Sequence, residues 1–126
     1  MKAKKIRIIL QSVDDIKTEW NAALKGNVKS TSKGDEIIVT GLATIAKIFS
    51  KTRIEILQVI INQKPQSIYA LAKIVKRDFK NVHSDVQFLA EVGLIKLKET
   101  GNGRSGLRPV ARYSGIELEL DRKSVV

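Results

Sequence analysis

The chain has 126 residues, 43 % of them hydrophobic, with 23 Lys and Arg against 13 Asp and Glu and no cysteine. That length suits one domain able to bury a real core. The missing cysteines exclude disulfides, thiolate nucleophiles and zinc fingers, and the lack of any apolar run of about 18 residues excludes a transmembrane span.

The net charge of +10 exceeds the magnitude of about 2–8 that solubility alone asks for, and favours a polyanionic partner such as nucleic acid. The excess is spread: residues 1–34 carry 8 basic and 3 acidic side chains, residues 73–112 carry 9 and 4. Aromatic residues are only 5 %, so the core must be Ile, Leu, Val and Ala. The start, MKAKKIRIIL, has the charge order of a signal peptide, but its apolar run is short and meets Gln11, Ser12, Asp14 and Asp15 at once. A cytoplasmic protein is expected.

In chain order, KKIRIIL is β-branched and predicts a strand. Ser12 and Asp15 form a capping box, with Asp14 and Asp15 at the positive helix end. Ile16, Trp20, Ala23 and Leu24 give the stripe of a helix that Gly26 stops. NVKSTSKGDE is expected as a polar loop and EIIVT as a second strand. Residues 1–40 thus form a β-α-β segment, too small to be stable alone, which must pack on the rest of the chain or on a second subunit.

A helix follows over 41–49, with Leu42, Ile45, Ala46 and Phe49 on one face. Ser50 caps the next, a core helix whose stripe is Ile54, Leu57 and Ile61, widened by Ile56 and Ile60, and which Pro65 ends. Ser67 caps a third helix that buries Ile68, Leu71, Ala72 and Val75. A tight turn at KRD leads to Asp78, cap of a fourth helix, whose buried positions are Phe79, Val82, Val86 and Leu89 and whose stop is Gly93. LIKLKE alternates as a strand, TGNGRSG is a loop, and PVARYSGIELEL returns as one strand with a bulge at Ser114-Gly115. Residues 121–126 form a tail. Helix, tight turn, helix and β-hairpin is the order of a winged helix-turn-helix. The expected fold is therefore α+β: a winged helix-turn-helix over 41–120 with an N-terminal β-α-β appendage.

Four features bear on chemistry. Lys80, His83, Ser84 and Gln87 share the polar side of the fourth helix, with Asn81 beside them. Lys reads guanine or phosphate, Asn and Gln pair with adenine, and Ser adapts; an ordinary wet helix face is the competing explanation. ETGNGRSGLR is glycine-rich and carries Arg104 and Arg108, which in a wing contact phosphates or the minor groove; a flexible hairpin loop with incidental charge is the alternative. Its formal GxGxxG, Gly101 to Gly106, precedes Pro109 and an alternating strand rather than a helix, so nucleotide binding is rejected. His83, one histidine without cysteine, makes no metal site unless a set of carboxylates assembles with it, and no catalytic constellation stands out. No enzyme, metal or cofactor is expected. Trp20 is either an interface anchor or the filling of a small β-α-β core.

SIYALAKIVKRDFKNVHSDVQFLAEVGLIKLKE, joined to GLRPVARYSGIELEL, resembles small prokaryotic winged helix-turn-helix regulators related to MarR- and ArsR-type repressors, some of them antitoxin-like DNA-binding proteins. FSKTRIEILQVI resembles the helix preceding their helix-turn-helix. The likeness covers about residues 36–120 and is most specific at Arg77, Asp78, Asn81, Val82, His83, Asp85 and Val86 and at Gly93 to Ile95. It implies that Lys80, Asn81, His83, Ser84 and Gln87 face DNA and that Arg104 lies in the wing. The chain departs at Lys76, where the turn often has glycine.

The expected activity is sequence-specific binding of double-stranded DNA by a homodimer on a palindromic operator, as a transcriptional regulator. Ser67, Lys73, Lys76, Arg77 and Arg108 would hold the DNA backbone. The β-α-β segment and the 41–49 helix would make the dimer contact. The alternatives are an antitoxin module that holds a toxin protein, and an RNA-binding winged helix.

Overall fold

The computed structural model describes residues 4–11, 28–30, 35–99 and 107–120. The helix expected from Ser12, with Trp20, lies outside the described residues, as do Arg104 in its loop and the tail 121–126.

Strand β1 (Lys5–Gln11) alternates as its sequence predicts: Ile6 and Ile8 are buried, Lys5 and Arg7 exposed. It runs parallel to β3 (Glu36–Thr40), with Ile8 opposite Ile37 and Leu10 opposite Val39. This is the pairing that the expected β-α-β order requires. Residues Val28–Ser30, expected within a loop, form a strand, β2, antiparallel to β3. Three residues are too few to show alternation, and such a strand is specified by its partner's open edge rather than by its own pattern.

A second correction concerns the C-terminal strand. The expected single strand over PVARYSGIELEL is two. Leu107–Val110 (β5) pairs antiparallel with Lys96–Glu99 (β4), Leu97 facing Pro109. After a bend, Gly115–Leu120 (β6) runs parallel to β1, from Lys5–Gly115 to Leu10–Leu120. The Ser114 N–H donates to the Lys4 carbonyl at 2.7 Å and fixes the crossing. Ser114-Gly115 is thus where the chain changes sheets, not a bulge. The four-stranded order is β2-β3-β1-β6. On its charged face Arg7 bridges Glu36 at 3.2 Å and Glu119 at 3.6 Å, one partner from each neighbouring strand.

Four helices lie between β3 and β4. Helix α1 (Leu42–Ile48) buries Thr44 and Ile48, whereas Leu42 is 69 % exposed and Ala46 is also outside. Five of its seven residues are apolar, so spacing alone could not select the inner face. In α2 (Lys51–Gln63) the Ser50 hydroxyl accepts from the Arg53 N–H, as expected of the cap. Its core positions are Ile56, Leu57 and Ile60. Ile54 and Ile61 flank that stripe and face a groove of about 420 Å³ shared with Ile116 and Leu118 of β6. Left-handed Lys64 (φ 48°) and Pro65 close α2.

Helix α3 (Ile68–Val75), capped by Ser67, buries Ile68, Leu71 and Ala72, with Val75 half-buried. Helix α4 (Phe79–Glu91), capped by Asp78, buries Val82, Val86 and Leu89 completely. Phe79, expected inside, is 44 % exposed. As the first residue of α4 its side chain leans back past the helix N-terminus, beyond the core, onto Tyr69. Gly93 stops α4 as expected: at φ 90° it lets the Leu94 N–H reach back to the Leu89 carbonyl at 3.0 Å.

One apolar cluster joins Ile6, Ile8, Ile37 and Val39 of the sheet to Ile48, Ile56, Leu71, Val86 and Leu94. The segment expected as an appendage at 1–40 therefore shares both core and sheet with the 41–120 unit. Among the described residues no helix is long and apolar enough to cross a membrane.

Candidate nucleic-acid interface

Two capped helices and the turn between them make the site. The turn depends on Lys76, at φ 58° and ψ 47°. A left-handed backbone costs a non-glycine residue about 1–2 kcal/mol. Here it aims the N–H groups of Lys76 and Arg77 at one carbonyl, that of Ala72. The chain then turns at once into the Asp78 cap, whose Oδ2 accepts from the Asn81 N–H.

Helix α4 has two faces. Val82, Val86 and Leu89 hold the inner one. On the outer one Lys80, Asn81 and Ser84 are exposed, while His83 and Gln87 are half-buried. The His83 ring leans on Phe79, with ring centroids 5.7 Å apart. Lys73 and Lys76 are exposed on the adjoining surface, and the Lys73 ammonium lies 4.8 Å from the centre of the Tyr69 ring. Ser67 is half-buried, its hydroxyl accepting from the Ala70 N–H at 3.0 Å.

Two basic residues expected on this surface sit differently. Arg77 turns inward, its Nη1 3.0 Å from Asp85 Oδ2. Arg108 is half-buried on β5, opposite Lys98, and its Nε is buried without a hydrogen-bond partner among the described residues. Arg104, with the rest of residues 100–106, lies outside the described residues.

Asp85 is the residue that periodicity missed. It is only 8 % exposed, in the middle of α4. Its Oδ1 accepts from Arg53 Nε of α2 at 3.2 Å while its Oδ2 takes Arg77. Arg53 also donates to the Lys47 carbonyl and lies 3.9 Å from the centre of the Phe88 ring. One carboxylate thus ties α2, the turn and α4 together. Such a cluster adds little net stability over an apolar core, but losing one member strands buried charge and costs about 3–5 kcal/mol. The available signal was an acid placed among Val82, Val86 and Leu89 on an otherwise apolar face. Turning Asp85 inward also leaves the outer face of α4 without a mid-helix negative charge.

Tyr113 is a second residue that sequence reading passed over. It follows β5, and its hydroxyl donates to the Leu94 carbonyl just past the α4 stop. Burial pushes its phenol well above the ordinary value. It thereby fixes the base of the β4–β5 hairpin to the end of α4. Among the described residues no group of three or more His, Asp or Glu gathers as a metal site.

A family model, HVO_A0114, matches residues 48–118, more than half of the chain. The chain belongs to the HVO_A0114 family. The HVO_A0114 match runs from the last residue of α1 into β6 and so takes in the whole α2–α4 cluster, the turn and the hairpin. No curated protein and no solved structure matches the chain.

Proposed function

We propose that this HVO_A0114-family protein is a winged helix-turn-helix that binds double-stranded DNA sequence-specifically, as a homodimeric transcriptional regulator on a two-fold symmetric operator. In this reading α3 is the supporting helix, α4 the recognition helix, and the β4–β5 hairpin the wing. The observation that carries it is the outer, N-terminal half of α4. Lys80, Asn81 and Ser84 stand exposed on a helix whose inner face is buried and whose carboxylate is clamped from two sides. A helix entering the major groove needs that combination of a rigid mount and a polar N-terminal outer face that carries no acid beyond its cap.

Lys80, Asn81, His83, Ser84 and Gln87 would read bases. Lys73, Lys76 and Arg108 would meet phosphates, and Ser67 keeps its O–H as a donor to them while its oxygen caps α3. Arg77 takes the different role of holding α4 through Asp85, and Arg104 remains the wing residue. The exposed Leu42 on α1 is an apolar side chain left uncovered by its own chain, as a subunit contact on that helix would need.

Selecting bound sequences from a random duplex pool across a salt series tests the reading. The expected result is a pair of inverted half-sites about one helical turn apart, with affinity falling linearly in log–log salt plots. A pool that stays random, or binding indifferent to salt, would defeat it.

A further inference from the structure

Two of the chain's six Phe, Tyr and Trp residues stand at the tip of this surface rather than in the core. Tyr69 is 59 % exposed and Phe79 44 %. Their ring centroids are 6.2 Å apart, and Phe79 is 5.7 Å from His83. The three rings form a continuous aromatic ridge from α3 across to the first turns of α4. The rim is mainly cationic: Lys73 packs on Tyr69, and Lys76 and Lys80 are exposed on either side of Phe79 in sequence, with the helix-capping Asp78 the one exposed acid among them. An apolar partner protein would have to bury these ammonium groups, which is costly without matching acids. A polyanion with an apolar feature inside its groove meets both parts of the surface.

We infer that the Tyr69–Phe79–His83 ridge is a contact for the 5-methyl groups of thymine in the major groove, which makes this protein selective for thymine at defined operator positions. The inference rests on the duplex-binding reading and adds a base identity to it. The thymine methyl is the one apolar group that the major-groove edge offers, and phenylalanine is among the side chains that meet it. The rings are tilted by 49° and 37° to one another, so together they make no single flat platform, and the Lys73 ammonium lies over the Tyr69 ring. That shape suits a methyl group better than the stacking of an unpaired base, which needs an open ring face.

The test replaces thymine by deoxyuridine, one position at a time, in the duplex recovered by selection. This removes the methyl and leaves every hydrogen-bonding group in place. For the wild-type protein, binding should weaken about fourfold per contacted methyl, the equivalent of one buried carbon. Phe79→Ala should bind thymine and deoxyuridine duplexes equally, while Phe79→Leu retains the preference. Wild-type binding that is indifferent to deoxyuridine at every position would overturn the inference while leaving duplex recognition standing. So would a Phe79→Ala protein that keeps the full thymine preference, or tighter binding to single-stranded oligothymidine than to the duplex. A wild-type protein that selects no duplex sequence would instead overturn the parent reading, and the inference with it. The deoxyuridine series on wild-type protein needs no variant to fold.

Discussion

Helices α2 and α4 are alike on the inside and opposite on the outside. Each has thirteen residues and an N-terminal oxygen cap. Each buries a branched aliphatic stripe, Ile56, Leu57 and Ile60 in one and Val82, Val86 and Leu89 in the other, and Arg53–Asp85 joins them. Outside, α2 presents Ile54 and Ile61 to an apolar groove, whereas α4 presents Lys80, Asn81 and Ser84. The two thus bury similar stripes, and the proposed recognition surface belongs to one of them. Inner and outer substitutions should therefore separate cleanly.

The largest expected effect breaks the link between them. Asp85→Ala strands Arg53 and Arg77 and should cost about 3–5 kcal/mol in urea unfolding; a loss below about 1 kcal/mol would mean the cluster is solvated in solution. Next, Ile60→Ala and Leu89→Ala should each cost about 2–5 kcal/mol through cavity formation, and should leave the duplex affinity of the folded fraction unchanged. A large difference between the two costs would undo the equivalence of the inner faces. On the outside, Lys80→Ala in α4 and Gln58→Ala, at an exposed position of α2, should both shift stability by no more than about 0.5 kcal/mol. Only Lys80→Ala should blur base preference, by about 1–3 kcal/mol of discrimination, measured by competition between operator variants.

Tyr113→Phe should cost about 1 kcal/mol by loss of the bond to Leu94, with a pH signature. Because the folded phenol titrates above its ordinary value of 10.0, the neutral form's contribution is complete below about pH 10. It is lost as the pH rises from there towards the folded value. The wild-type minus variant difference should be flat at neutral pH and shrink above about pH 10. The smallest effect is Lys76→Gly. Relief of about 1–2 kcal/mol of left-handed strain is offset by about 0.4–1 kcal/mol of unfolded-state freedom. A small gain in stability should accompany a salt-dependence slope reduced by about 0.9.

The caps and stops were legible in the sequence because they are local. Ser50, Ser67, Asp78 and Gly93 each act within five residues of their own position. The inner faces of α3 and most of α4 followed from helical spacing. What spacing could not supply was anything with a distant partner. Asp85 meets Arg53, 32 residues away; its apolar neighbours mark it as facing inward but do not name that partner. Alternation marked Ile116, Leu118 and Leu120 as strand but not which strand they join. The apolar-rich α1 fits more than one inner face, and Phe79 obeys the spacing of α4 yet sits one turn too early to reach the core. In the candidate site, Lys80, Asn81 and Ser84 are outside as their spacing demands, whereas Arg77, expected on the DNA backbone, turns inward to Asp85.

The pairing of β6 with β1 orders events during synthesis. Ser114 bonds to Lys4, 110 residues earlier, so β1 leaves the ribosome long before its second neighbour exists. The helices from 42 to 91 close mostly local contacts and can settle meanwhile, but the edge of β1 waits, open to wrong partners. A nascent chain stalled before residue 115 would carry a formed helical cluster and an unfinished sheet. Slow arrival of the last strand, rather than helix formation, should set the pace of folding.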